Sequence, residues 1–280
     1  MRLVPILIAG LLLSTSAWAG DTVKVTRSPL KVGEKATITE SLAMTIDMKI
    51  TMGENGTMDG KMVAQRDVVR DLEVTEVTQG ITTGARVTYT QATNMETMFG
   101  QEQSTTLPVQ GKTYLMTFDT EGKPLTVALD GDGEVTDAAR EFLLEDGFLD
   151  SAGLSGGDVG TESLTIGDDI KEFSSLASSM PKMDPTSATF SAKVAGVRKA
   201  EQGKVVVVEL IMKGNFDENN MMFTIDGTGE MLLHQKRGYI HDMALKAPIT
   251  LSGGETTPDG VKMHIEGKGD MTVTVSTRLK

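Results

Sequence analysis

From Ala36 to Met52 the chain alternates almost without error. Ala36, Ile38, Leu42, Met44, Ile46, Met48, Ile50 and Met52 share one parity, and Thr37, Thr39, Ser41, Thr45, Asp47, Lys49 and Thr51 hold the other. Alternation with period two predicts a β-strand with one apolar and one polar face. At about 3.3 Å per residue it would extend roughly 56 Å, so the strand must twist, bend or sit in a long curved antiparallel sheet. A second alternating run follows Gly53-Glu54-Asn55-Gly56-Thr57. A three-residue loop Glu54-Asn55-Gly56 with Gly56 left-handed would join the two as a bulged hairpin. That register sets Met52 against Met58, Met48 against Met62, Ile46 against Ala64, Met44 against Arg66, Leu42 against Val68, Glu40 against Arg70 and Ile38 against Leu72.

Further strands are predicted at 81–91, 113–118, 124–129, 190–197, 205–213, 221–225, 230–236, 240–251 and 261–277. One helix is predicted over 137–149, capped by Thr136 or Asp137, with Ala138, Phe142, Leu144 and Leu149 available for burial. The fold class is therefore mainly β: a long curved antiparallel sheet, open or half-barrel, with one short helix. Short words also recur in order, which raises an internal duplication. Leu30-Lys31-Val32-Gly33-Glu34 answers Leu164-Thr165-Ile166-Gly167-Asp168, Val74 to Val77 answers Val194 to Val197, and Thr117 to Gly122 answers Thr224 to Gly229.

Met1-Arg2, the apolar run Leu3 to Leu13 and the small residues Ala17 and Ala19 read as a signal peptide over 1–19, cleaved before Gly20. The organisation expected is then a β-rich half over 20–150, a glycine-rich linker over 151–163 and a second β-rich half over 164–280. Export to the periplasm or the outside follows, with no membrane span, because the leader is too short to cross and no later stretch is longer. The chain has no cysteine, which removes disulfides, thiolate metal sites and cysteine nucleophiles together. A formal charge of −12 makes nucleic acid an unsuitable partner. The sparse aromatics, with Trp18 inside the leader, do not supply the girdles of a transmembrane barrel.

Leu164-Thr165-Ile166-Gly167-Asp168-Asp169, Gly111-Lys112 leading into Phe118 to Gly122, and Gly227-Thr228-Gly229-Glu230-Met231 resemble words of uncharacterised exported bacterial β-rich proteins. More distantly, the arrangement is similar to the half-barrel carriers that move lipids or lipoproteins through the bacterial envelope. The resemblance implies a carrier fold and assigns no functional residue.

Candidate chemistry is thin. Gly153-Leu154-Ser155-Gly156-Gly157 has the spacing of a nucleophile elbow, but a helix precedes the serine where a strand is required. Asp130, Asp132, Glu134, Thr136 and Glu141 fit an EF-hand count, yet Val135 occupies the position that needs glycine. Met95/Met98 and Met180/Met183 offer thioethers, which serve more commonly as adaptable apolar filler than as metal ligands. Asn55-Gly56-Thr57 is a glycosylation sequon, used only on a eukaryotic secretory route. The expectation is a non-enzymatic protein with no cofactor and no metal. Its Met44, Ile46, Met48, Met52, Met58 and Met62 face would bind a lipid, an acyl chain or an amphipathic protein segment. Arg66, Glu40 and Arg70 share that face and are candidate polar anchors. The competing reading is a structural envelope protein whose apolar face is simply its core.

Overall fold

The computed structural model describes residues 21–28, 30–53, 56–120, 122–146, 149, 152–154, 160–170, 189–218, 221–256 and 262–280. The expected leader over 1–19, Ser155, Asn55, the Met180/Met183 pair and residues 151 and 155–159 of the linker lie outside them.

Alternation produces very long strands. In chain order they are β1 (Thr22–Arg27), β2 (Lys35–Met52), β3 (Thr57–Thr78), β4 (Ile81–Met98), β5 (Gln101–Thr106), β6 (Thr113–Phe118), β7 (Pro124–Leu129), helix α1 (Asp137–Glu145), β8 (Gly160–Thr165), β9 (Thr189–Ala200), β10 (Gly203–Glu218), β11 (Met221–His234), β12 (Ile240–Thr256) and β13 (Lys262–Leu279). Eleven strands form one antiparallel sheet in the order β7-β6-β4-β3-β2-β13-β12-β11-β10-β9, with β5 also on β4, and it stays open because β7 and β9 are its two ends. The pairing of β13 with β2 joins two meanders in the middle of the sheet. β1 and β8 form a separate two-stranded ribbon.

The face carrying the even-numbered residues of β2 is the inner one, and it holds two hydrophobic clusters. One gathers Ile38, Leu72, Val87, Tyr89, Tyr114 and Met116 beneath Leu143 of α1. The other gathers Ile46, Met48, Leu210, Ile225, Leu245 and Ile249 against Val23, Val25 and Leu164 of the ribbon. Helix and ribbon thus cover different parts of one face, and each supplies the apolar surface that a single sheet face needs to bury.

The β2–β3 hairpin differs from expectation. Its last pair is Thr51 with Thr57, so every partner moves by two: Met48 faces Gly60, Ile46 faces Met62, Leu42 faces Arg66 and Ile38 faces Arg70. Gly53, at φ 48, gives its N–H to Lys262 O on β13 at 3.1 Å, and Met52 N–H reaches Gly56 O at 3.0 Å across the longer loop. An even shift leaves every side chain on its expected face.

The helix is also shorter than expected. Thr136 caps it, accepting from Ala139 N–H, and Asp146 leaves helical geometry at φ −81, ψ 86. Its buried face is Ala139 and Leu143, while Ala138 and Leu144 are exposed. That stripe continues at helical spacing to Asp146, whose carboxylate is held by the sheet.

The predicted break between 225 and 230 is absent, since β11 runs through Asp226-Gly227-Thr228-Gly229. A Cβ on Gly227 would come within 2.9 Å of Ala247 Cβ, and one on Gly229 would meet Ala244 O. These glycines serve close strand approach rather than a turn. The word Thr117 to Gly122, in contrast, does end in a turn with Gly122 at φ 81. The other repeated words fold alike. Gly33 N–H donates to Val74 O and Val74 N–H to Glu34 O, at 2.8 and 2.9 Å; Gly167 N–H donates to Val194 O and Val194 N–H to Asp168 O, at 2.8 and 3.1 Å.

Candidate functional site

The register places Met44, Ile46, Met48, Met52, Met58 and Met62 on the inner face, and the structure divides them. Ile46 and Met48 are buried in the second cluster. Met44, Met52 and Met62 are half-buried, and Met58 is exposed. Across the ladder from β2 stand Met263, Ile265, Met271 and Val273 on β13, all half-buried. On the other side Met98 of β4 pairs with Met62. Among the large apolar side chains here, Leu42 is 37%, Met58 42%, Met98 51% and Phe99 40% exposed. An apolar strip therefore follows β3 from Arg66, beside Phe142 of α1, through Ala64 and Met62 to Met58, alongside the second cluster.

Phe99 belongs to this strip, although the alternation pattern does not reveal it. It sits at φ 51 beside Gly100 at φ 78, in the two-residue turn joining Met98 to Gln101. Positive φ at both central residues suits such a turn but is uncommon for a phenylalanine. Its ring occupies the space a Cβ on Gly60 would need, opposite Met48. Gly60 is the sequence signal: a glycine within an alternating apolar run leaves room for a side chain from elsewhere.

The candidate anchors also separate. Arg70 is fully buried and is held by Asp146, its Nε donating to Oδ2 at 3.0 Å and its Nη2 to Oδ1 at 2.7 Å. Tyr89 Oη donates to Asp146 Oδ2 at 2.7 Å, and Glu40 Oε2 lies 2.9 Å from Arg70 Nη1 on the diagonal of the ladder. Removal from water pushes the Asp146 carboxyl above its ordinary range, while the Arg70 guanidinium opposes that shift. Burial likewise pushes the Tyr89 phenol well up, and the Asp146 carboxylate adds to it. This cluster pins the end of α1 to the sheet, so Arg70 and Glu40 are occupied in the fold. Arg66, opposite Leu42 and Asn94, is exposed and packs its guanidinium over the Phe142 ring, 4.9 Å from the centroid.

A second polar cluster lies at the β11–β12 turn. The His234 ring stacks on Tyr239 at 5.0 Å, and Tyr239 Oη donates to Gln202 Oε1 at 2.9 Å. Arg278 Nη1 donates to His241 O at 2.7 Å and lies 3.4 Å from His241 Nδ1. Burial lowers the His241 pKa, and the Arg278 charge lowers it further.

Two of the residues that fit an EF-hand count are engaged elsewhere: Asp130 pairs with Arg86 at 2.8 Å, and Thr136 caps the helix. Among the described residues no three His, Asp or Glu side chains converge as a metal site, and no helix is long and apolar enough to cross a membrane.

No known family pattern matches the chain, and no curated protein matches it in sequence. Among solved structures it is similar to lipovitellin, from a study of lipid–protein interactions in that protein, at 10% identity and a TM-score of 0.42. The match covers 88% of this chain and 25% of lipovitellin, so the chain spans about a quarter of that protein's length. No residue role is carried over from it.

Proposed function

We propose that this is an exported, non-enzymatic β protein that holds an apolar chain on its inner face. The observation that carries the reading is the exposure of Leu42, Met58, Met98 and Phe99 on the inner face, the last three gathered around Met62 and Gly60 of β3, on the same face that α1 and the ribbon pack against elsewhere. Scattered exposed apolar residues are ordinary, whereas a contiguous set marks a binding surface. Methionine suits it because an unbranched thioether repacks around varied shapes.

A neutral solvatochromic dye tests the reading. Wild-type protein binds it, and Met58→Glu stays folded while binding it weakly, since water hydrates the new carboxylate at an open position. Met48→Glu places the same charge inside the second cluster, without a partner, and lowers the melting temperature sharply. Wild-type protein that binds no dye, or Met58→Glu that binds it unchanged, would leave a structural envelope protein as the better reading.

A further inference from the structure

We propose that Arg66 receives the carboxylate of a long-chain fatty acid whose tail lies along the β3 strip toward Met58. This rests on the apolar reading above and adds to it the chemical class of the occupant.

Four observations support it. First, Arg66 stands at the end of the strip, beside Leu42, on the same face as Ala64, Met62 and Met58. From Arg66 to Met58 the strand extends about 26 Å, which gives an extended tail an apolar track. Second, Arg66 makes no ion pair among the described residues, whereas Arg70, the next arginine on that face of β3, is paired with Asp146 and Glu40. Third, the Arg66 guanidinium sits over the Phe142 ring, 4.9 Å from the centroid, a contact that uses none of its N–H groups, and a guanidinium can donate two parallel hydrogen bonds to a carboxylate.

The fourth concerns size and charge. Glu40 and Glu96 both share the inner face with Arg66, one to either side along the ladder. Diagonal neighbours on a sheet lie about 7–8 Å apart, within reach of long side chains. Asn94 Nδ2 donates to Glu96 Oε1 at 3.0 Å, holding that carboxylate near the site. A headgroup with several anionic oxygens would meet these acids. A single carboxylate satisfies the guanidinium and projects no further. The tail then supplies the attraction that an anion alone would not find on a chain of charge −12.

The experiment titrates the full-length mature protein with oleate, oleyl alcohol and lysophosphatidylglycerol, each below its micelle concentration, in wild type, R66Q and R66K. Oleate is expected to bind wild type more tightly than oleyl alcohol, and R66Q to lose about tenfold to a hundredfold for oleate. R66K is expected to recover part of that loss, and oleyl alcohol to bind all three alike. If R66Q holds oleate as wild type does while the neutral dye still binds, the anchor is wrong and the apolar reading survives. If lysophosphatidylglycerol binds more tightly than oleate and is the ligand lost in R66Q, the anion is a phosphate and the carboxylate assignment falls. If neither oleate, the alcohol nor the dye binds, the apolar reading falls and takes the anchor with it.

Discussion

Arg70 and Asp146, 76 positions apart in the chain, meet through two hydrogen bonds of 3.0 and 2.7 Å inside the first cluster. Arg70 has no exposed surface, so water is poorly placed to replace Asp146 as its partner. Asp146→Ala is therefore expected to destabilise the protein by about 3 kcal/mol or more, with Glu40 left as the remaining counter-charge. The exposed pair of Lys280 and Asp71, at 2.7 Å, makes the comparison, since Lys280→Ala is expected to cost less than about 1 kcal/mol. Urea denaturation of both variants checks the contrast. Equal losses would mean that the buried pair is solvated.

Phe99 combines an unfavourable backbone with an exposed ring over Gly60. Asparagine tolerates the left-handed region far better. Phe99→Asn is expected to leave the melting temperature unchanged or higher while weakening dye and oleate binding. Unaltered binding would remove Phe99 from the strip.

Gly269 lies opposite Ile46, and a Cβ there would fall on Thr45 O and within 2.7 Å of Ile46 Cα. Gly269→Ala must push β13 away from β2, at a cost of about 1–3 kcal/mol. A denaturation midpoint equal to wild type would show that the central strands separate freely.

His241 is buried with its Nδ1 beside the Arg278 guanidinium, and its folded pKa lies below the ordinary value of 6.5. The unfolded chain then binds the proton more readily than the folded one. Stability from the neutral ring is fully present above about pH 6.5 and declines as pH falls below it, toward the lower folded value. His241→Gln is expected to flatten the stability profile below about pH 6.5. A slope that survives the substitution would place the titration elsewhere. Asp71, held below its ordinary range by Lys280 and Thr37, acts in a more acidic window and does not confuse the result.

The strands were legible because one face of each is buried and the other is wet, as in Ile46 and Met48 against Asp47 and Lys49. Face membership survived even where the register did not. Alternation has period two, and the hairpin moved by two when Gly53 bonded to β13 instead of closing the turn. What could not be read were contacts made by distant segments. The ribbon pairs Thr22 with Thr165, and no local periodicity announces a partner so far along the chain. The same holds for the site. Periodicity places Arg66, Arg70 and Glu40 on one face, yet it is Asp146, arriving at the end of α1, that makes Arg70 a buried ion pair while Arg66 has no ion pair among the described residues.

The junction of β2 with β13 governs how this molecule can form. The two meanders at either side are built from neighbouring strands and close over short turns, so each can assemble while the chain is still emerging. Their union requires β13 to find β2, along a ladder that runs from Ala36 opposite Leu279 to Met52 opposite Met263. Until that happens both β2 and β13 present bare edges with an apolar face attached, the most adhesive surface a nascent sheet can have. Because β13 is the strand that pairs with β2, the two meanders stay unsealed until β13 has been made, and a partly folded chain exposes those edges meanwhile.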